Sequence, residues 1–369
     1  MRRFLTLAII AVLLGACSPS APDVSPPILP TVTMQLPVVT RSPDPSSTPA
    51  PRLTVTGTSN SCFPCDRAAA TMEALQATQT VLAPTVQAML TITAAAESAP
   101  SVTATQACGE GPVCYLDGHF LFQRPIGSTG KQSIERSYPY GSTQGGKREL
   151  HHGVEFYNAQ GTPILAAADG KVVFAGNDKL TLLSWVTGYY GNVVVIEHHL
   201  PGFPQTFYTL YAHQYKLNVV IGQEVKAGEL IGQVGATGTA AGSHLHFEVR
   251  VTNDDYKSNR NPELWLLPLP GTGVLAGRIE DVQGGLLKGE VNVQRIENGK
   301  LNPLSVATAE TYAIESQPIN ADDVFHENFA VGELPAGDYR LTLLNNGTLY
   351  EQVIKIEAGR LTLVKLVVK

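Results

Sequence analysis

Between Tyr115 and Pro268 the chain is cut into apolar runs too short to make helices of ordinary length. The runs "GKVVFAG" (170–176), "GNVVVIEHH" (191–199), "QTFYTLYAH" (205–213), "ELIGQVG" (229–235) and "HLHFEVRV" (244–251) are rich in Val, Ile, Leu and aromatic residues, and most are cut by glycines. Runs of this length and composition, separated by turn residues, are strands. The 34 Gly and 25 Pro in 369 residues agree with turn-rich β structure joined by flexible connectors. A chain of this length also exceeds one ordinary domain, so folded units and linkers are both expected.

The flanks read differently. After "LPLPGTG" (267–273), the segment 272–369 alternates polar and apolar residues, with turns at Gly337, Asn346-Gly347 and Gly359. That pattern predicts a small β-sandwich. Its phrase "LPAGDYRL" (334–341) resembles prealbumin-like modules, which implies a spacing or docking unit with an envelope protein as its partner. At the other end, Met1-Arg2-Arg3 precedes the apolar run Phe4 to Leu14, too short for a permanent membrane span. The run ends in "LGAC" (14–17), which resembles a bacterial lipobox. That resemblance implies a signal peptide over 1–17, lipidation of Cys17 and a membrane-anchored lipoprotein outside the cytoplasm; a plain secretory peptide with an incidental Cys is the alternative. Residues 18–60 are rich in Pro, Ser and Thr, a composition expected to give an extended tether.

Residues 61–114 change character again. Met72, Leu75, Leu82, Val86 and Met89 recur at helical spacing in an Ala-rich background, with Pro84 expected to kink or split the helix. Cys62, Cys65, Cys108 and Cys114 bracket this stretch. In an oxidising compartment four cysteines predict two disulfides, with pairing across the helical segment favoured over the very small Cys62–Cys65 ring. The rival is a four-Cys zinc site, whose second pair is spaced more widely than zinc ribbons prefer. The net charge of −6 and the lack of any Lys/Arg cluster give no reason to expect nucleic acid.

Five of the nine histidines fall in patterned contexts. Side chains two or four apart on a strand share a face. That relation holds for His151 and Glu155 in "HHGVE" and for His244 and His246 in "HLHFE", while His213 closes the run "YTLYAH". Hydrolytic zinc needs about three protein ligands, an open position, and nearby groups to move protons.

The order "HHGVE" (151–155), "LYAH" (210–213), "GQEVKAGELIGQVGATG" (222–238) and "HLHFE" (244–248) resembles the lysostaphin/LytM-type zinc endopeptidases that cleave peptidoglycan peptides. The resemblance covers residues 118 to 266, within a metallopeptidase domain placed at 115–268. It implies one zinc ion held by His151, Glu155 and His246, with His213 and His244 as the catalytic pair. It also implies peptidoglycan as the partner. Where the family pattern has Asp, this chain has Glu155, one methylene longer with the same charge. The alternative that this departure leaves open is a catalytically degenerate regulator that binds peptidoglycan and activates a separate amidase. His152 falls on the opposite strand face and is expected to be a bystander; His198 and His199 are expected to be turn or packing residues. The loops 177–191 and 199–205 are plausible groove walls, with Trp185, Tyr189 and Tyr190 available for packing, or ordinary hairpin connections.

Overall fold

The computed structural model describes Cys108, residues 111–312 and residues 319–369. Its architecture is mainly β, as the short runs require. A seven-stranded sheet has the order Asn259–Arg260, His244–Val251, Phe207–Ala212, Asn192–His198, Gly170–Asn177 and Glu224–Val225. The seventh strand, Val154–Tyr157, also pairs with His244–Val251. All pairs in this sheet are antiparallel. A three-stranded sheet (Pro163–Leu165, Leu230–Gln233, Lys216–Leu217) stands beside it.

The C-terminal part is a sandwich of two four-stranded sheets. One has the order Val113–Leu116, Leu361–Val368, Thr272–Asp281, Phe329–Pro335; the other has Lys300–Glu310, Glu290–Glu297, Gly337–Asn345, Thr348–Ile356. Inward residues such as Val291, Val293, Leu341 and Ile354 form its core. One pair departs from an all-antiparallel plan: Thr272–Asp281 runs parallel to Leu361–Val368. Parallel neighbours need a long crossover, and the strands of the second sheet supply it.

Two further departures matter. The boundary placed at 115 falls inside the strand Val113–Leu116, which belongs to the C-terminal sandwich through its pairing with Leu361–Val368. The chain therefore enters the sandwich, leaves it to build the seven-stranded sheet, and returns. The favoured cysteine pairing is also corrected: Cys108 bonds to Cys114, six residues away, with Cα atoms 5.2 Å apart. Two Cα atoms at that separation suit a disulfide directly, so neither cysteine is free to cross the helical stretch. Cys17, Cys62, Cys65 and the helical segment lie outside the described residues.

The two β units share a core. Phe122, Phe207, Phe247 and Trp265 of the first unit cluster with Val274, Ala276, Phe325, Ala330 and Leu361 of the second. His119 is stacked between Trp265 and Phe325, at 4.5 and 4.4 Å, and contacts Asp322 at 3.2 Å. A buried ion pair, Arg124 to Glu333 at 2.6 Å, crosses the same junction. Residue pairs fixed this closely hold the units in one orientation.

Candidate metal centre

The strand Val154–Tyr157 lies antiparallel to His244–Val251, with Glu155 directly opposite His246. Cross-strand partners stand closest of any residues on a sheet, so this register alone brings the two side chains together. Gly153 permits the approach: a Cβ there would meet the Phe247 carbonyl oxygen at 2.4 Å. On the other side, His246 is opposite Ala212. The strand Phe207–Ala212 therefore ends beside His246, and His213, at φ 61, turns off it.

His151 is not on a strand, contrary to the same-face expectation. Its amide donates to the Ser142 carbonyl at 3.0 Å and its carbonyl accepts from the Gly141 amide at 2.8 Å. The ring is stacked face to face on Tyr138, centroids 4.0 Å apart. By this route His151 Nε2 reaches 3.1 Å from Glu155 Oε1 and 3.3 Å from His246 Nδ1, while His246 Nδ1 and Glu155 Oε1 are 3.2 Å apart. All three residues are buried.

Those three atoms form a nearly equilateral triangle. Tetrahedral zinc with ligand bonds of about 2.0 to 2.2 Å needs donor–donor edges of about 3.3 to 3.6 Å. Two imidazole nitrogens and one carboxylate oxygen are also the donor types zinc prefers. The extra methylene of Glu155 does not prevent its Oε1 from completing the triangle. The residues present fit the ion.

A polar layer below the triangle escaped the sequence reading. His246 Nε2 contacts Glu248 Oε1 at 3.0 Å, and Arg250 Nε donates to Glu248 Oε2 at 2.9 Å. Tyr190 OH also donates to Glu248 Oε1. Arg250 continues to Asp254 at 2.8 Å and to the Leu183 carbonyl at 2.8 Å. Burial pushes the Glu248 carboxyl up, but Arg250 and His246 outweigh it and hold it well below the usual range. An ionised carboxylate only accepts, so His246 Nε2 carries the proton and Nδ1 is the nitrogen turned to the triangle. The signal was in "HLHFEVRV": residues 244, 246, 248 and 250 share one face by the period that singled out the two histidines.

The charges in the triangle are set by the same neighbours. Burial opposes ionisation of Glu155, yet hydrogen bonds from His151, His244 and His246 bring its carboxyl well below the usual range. Burial also opposes the charge on His246, but Glu155 and Glu248 push it up to about 9. A proton therefore competes with any cation for its Nδ1.

His213 and His244 stand beside the triangle. Their ring centroids are 4.8 Å apart, and His213 is 5.8 Å from His246. Each offers Nδ1 to a backbone carbonyl, His213 to Thr237 and His244 to Gly242, both at 2.8 Å. Donation from Nδ1 leaves Nε2 as the working nitrogen of His213. His244 Nε2 already lies 2.7 Å from Glu155 Oε2. Burial, with His246 adding to it, lowers His213 to about 3, so its ring is neutral.

The remaining histidines lie elsewhere. His152 stacks on Tyr256 at 3.6 Å and contacts Asn259, facing away from the triangle. His198 is bonded to the Asp169 carbonyl and Thr209 inside the sheet. Of the two loops, 177–191 presents Leu180, Leu182 and Trp185 to solvent, while Tyr190 is buried beneath the site. The loop 199–205 follows the far end of its strand, and its Phe203 packs on Trp265 and Phe207, so it forms no wall here.

Residues 149–259 match the family model described as Peptidase family M23. The chain is 38% identical over 121 residues to the DD-carboxypeptidase/endopeptidase Mpg of Neisseria meningitidis serogroup B, covering 33% of this chain and 24% of that protein. It is 36% identical over 111 residues to the murein hydrolase activator NlpD of Escherichia coli, covering 30% of this chain and 24% of that one. The chain thus spans only 24% of the length of these curated relatives. Among solved structures, the catalytic domain of lysostaphin from Staphylococcus simulans is 32% identical, with 34% of this chain and 82% of that chain covered and a TM-score of 0.27.

Proposed function

We propose, on the premise that residues 149–259 are a Peptidase family M23 domain, that the chain is a zinc-dependent endopeptidase acting on the peptide stems or cross-bridges of bacterial peptidoglycan. The observation that carries this is the triangle of His151, Glu155 and His246 with two histidines beside it. Those three residues would hold one zinc ion. Zinc supplies Lewis-acid polarisation of the scissile carbonyl and lowers the pKa of water.

The protein's own groups do the rest. Glu248 fixes the orientation of His246 through Nε2, so the ligand face is preorganised. His213, neutral and anchored through Nδ1, is set to accept the proton of the attacking water at Nε2. His244, held through Nδ1 and donating from Nε2 to Glu155 Oε2, is set to turn that Nε2 proton to the developing oxyanion. The loop bearing Leu182 and Trp185 would offer apolar contacts to the substrate chain.

A second reading is kept by one observation, the similarity to a relative named as a murein hydrolase activator. In that reading the domain binds peptidoglycan and stimulates a separate amidase. One experiment separates the two: purified peptidoglycan is incubated with zinc-loaded protein and its products are read by mass spectrometry, with and without an amidase. New peptide ends produced by the protein alone support the peptidase. No such ends, together with amidase stimulation that persists in Glu155→Ala, would support the activator.

We also propose that the chain works outside the cytoplasm as a lipoprotein anchored through Cys17. The "LGAC" motif and the Cys108–Cys114 disulfide support this placement, since disulfides persist in oxidising compartments. Labelled fatty acid should enter the wild-type protein and not Cys17→Ser.

A further inference from the structure

Glu155 and His246 are placed by a strand ladder, but His151 is placed by a loop that leans on the C-terminal domain. Tyr140, just upstream, is buried with its ring edge-on to Tyr312, centroids 5.0 Å apart. Its hydroxyl lies 2.9 Å from the Asn320 carbonyl and 3.2 Å from the Asn320 amide. Leu150, immediately before His151, packs into the same small cluster with Tyr140, Tyr312 and Ile319. Gly141 has φ +77, and a Cβ there would stand 2.5 Å from the Tyr312 Cβ. The C-terminal domain thus presses against the loop where only glycine leaves room.

Tyr312 is itself well held. Its hydroxyl is 2.7 Å from Glu327 Oε1 and 3.2 Å from Asn261 Nδ2, and its amide donates to the Asn328 carbonyl at 2.7 Å. The Asn320 side chain donates to the Lys257 carbonyl at 2.6 Å and the Asn259 carbonyl at 3.1 Å. Both residues are anchored independently of the loop that they contact.

From this placement we infer that the C-terminal domain is a positioning element of the metal centre. Tyr312 and Asn320 hold the Tyr140–His151 loop so that His151 Nε2 stands against Glu155 and His246. This rests on the reading of His151 as a zinc ligand. If the clamp is released, two donors keep their strand-imposed positions and the third is free to drift. A role in zinc retention is thereby added to a domain whose sequence suggests only spacing or docking.

The test is zinc affinity of the full chain, measured by competition with a chromophoric chelator below each variant's unfolding midpoint. Tyr312→Ala should weaken zinc binding about 10-fold to 100-fold, the range seen when support for a ligand is lost. Tyr312→Phe keeps the ring against Tyr140 and should bind close to wild type. Val293→Ala, in the core cluster that includes none of these loop residues, should lower the unfolding midpoint without weakening zinc. Equal zinc affinity in wild type and folded Tyr312→Ala overturns the inference alone, as does equal weakening in Val293→Ala. Should Tyr312→Ala not fold, Ile319→Ala, from the same cluster, takes its place in the same assay: weakened zinc supports the clamp, and unchanged zinc overturns it. A wild-type chain that holds no zinc overturns the metal reading, and the clamp with it.

Discussion

The strands His244–Val251 and Thr348–Ile356 are nearly equal in length and both mix polar with apolar residues, yet they differ in where the polar side chains lie. In Thr348–Ile356 Glu351 and Lys355 face solvent, while Ile354 and Ile356 face the core. In His244–Val251 every residue is buried, so His244, His246, Glu248 and Arg250 fill one face of a strand that sees no bulk water. Burying such groups is costly unless each finds a partner. Here each does. The difference teaches that alternation identifies a strand, while burial of its polar half identifies a site.

The largest effect should come from removing the one carboxylate of the triangle. Glu155→Ala leaves two imidazoles in place of three donors, so the purified protein should lose its zinc and any peptidase activity together. Metal content by mass spectrometry beside hydrolysis of peptidoglycan checks this. Equal zinc in wild type and Glu155→Ala would sink the ligand assignment. Glu155→Asp keeps the charge but shortens the reach, and should lower zinc affinity about 10-fold to 100-fold. On the solvent-facing strand, the corresponding change Glu351→Ala removes only an exposed contact to Arg340 at 3.7 Å. It should alter neither readout.

Next in size is the buried cation. Arg250 is wholly buried between Glu248 and Asp254. Arg250→Met would leave Glu248 as a charge without its guanidinium, a loss of about 3 to 5 kcal/mol for a broken buried pair. Arg340→Met, at the exposed pair, should cost about 0 to 1 kcal/mol. Urea unfolding of the two variants gives the comparison directly, and similar losses would contradict it.

Much of this was legible in the residues themselves. The strands were readable because short Val/Ile-rich runs between glycines have few other conformations. The pairing of Glu155 with His246 was readable only as a shared motif, since register depends on which strands meet. Glu248 and Arg250 were readable in principle, by extending the period of two beyond the histidines. The position of His151 was not. It depends on Tyr312 and Asn320, some 160 residues away in sequence, and no local pattern encodes such a contact. The same holds for Val113–Leu116, which pairs with the last strand, and for the Cys108–Cys114 bond, since four cysteines alone allow three pairings.

pH should separate the two regions further. Burial lowers His152 and His198, in the seven-stranded unit, to about 4. Unfolded imidazoles titrate near 6.5, so between about 4 and 6.5 the unfolded state binds more protons and these groups make stability rise with pH. At the junction the sign reverses: burial raises Glu263 to about 7 and Glu327 to about 8. Their contribution is complete below the unfolded value near 4.5 and is lost as pH rises through the folded values. Each group changes stability by at most about 1.4 kcal/mol per pH unit. The zinc-saturated protein should therefore lose stability between pH 6.5 and 8, and Glu327→Gln should flatten that loss. An unchanged slope in Glu327→Gln would remove Glu327 from the account.

The smallest effect belongs to the solvent-facing strand. Leu349 sits directly opposite Leu344, and the two are 58% and 67% exposed. The pair gains only what two half-wet side chains gain from each other, about 0.2 to 1 kcal/mol for a cross-strand contact. Leu349→Ser gives up part of that and returns apolar surface to a polar group, so the net change should stay within about 0.5 kcal/mol. Leu245→Ala, an apolar deletion on the fully buried strand, should cost about 2 to 5 kcal/mol. Urea midpoints at low and high protein concentration check both. A loss above about 2 kcal/mol in Leu349→Ser that grows with concentration would show that another surface covers this face in solution. The contrast between a buried strand and an exposed one would then hold only for the isolated chain.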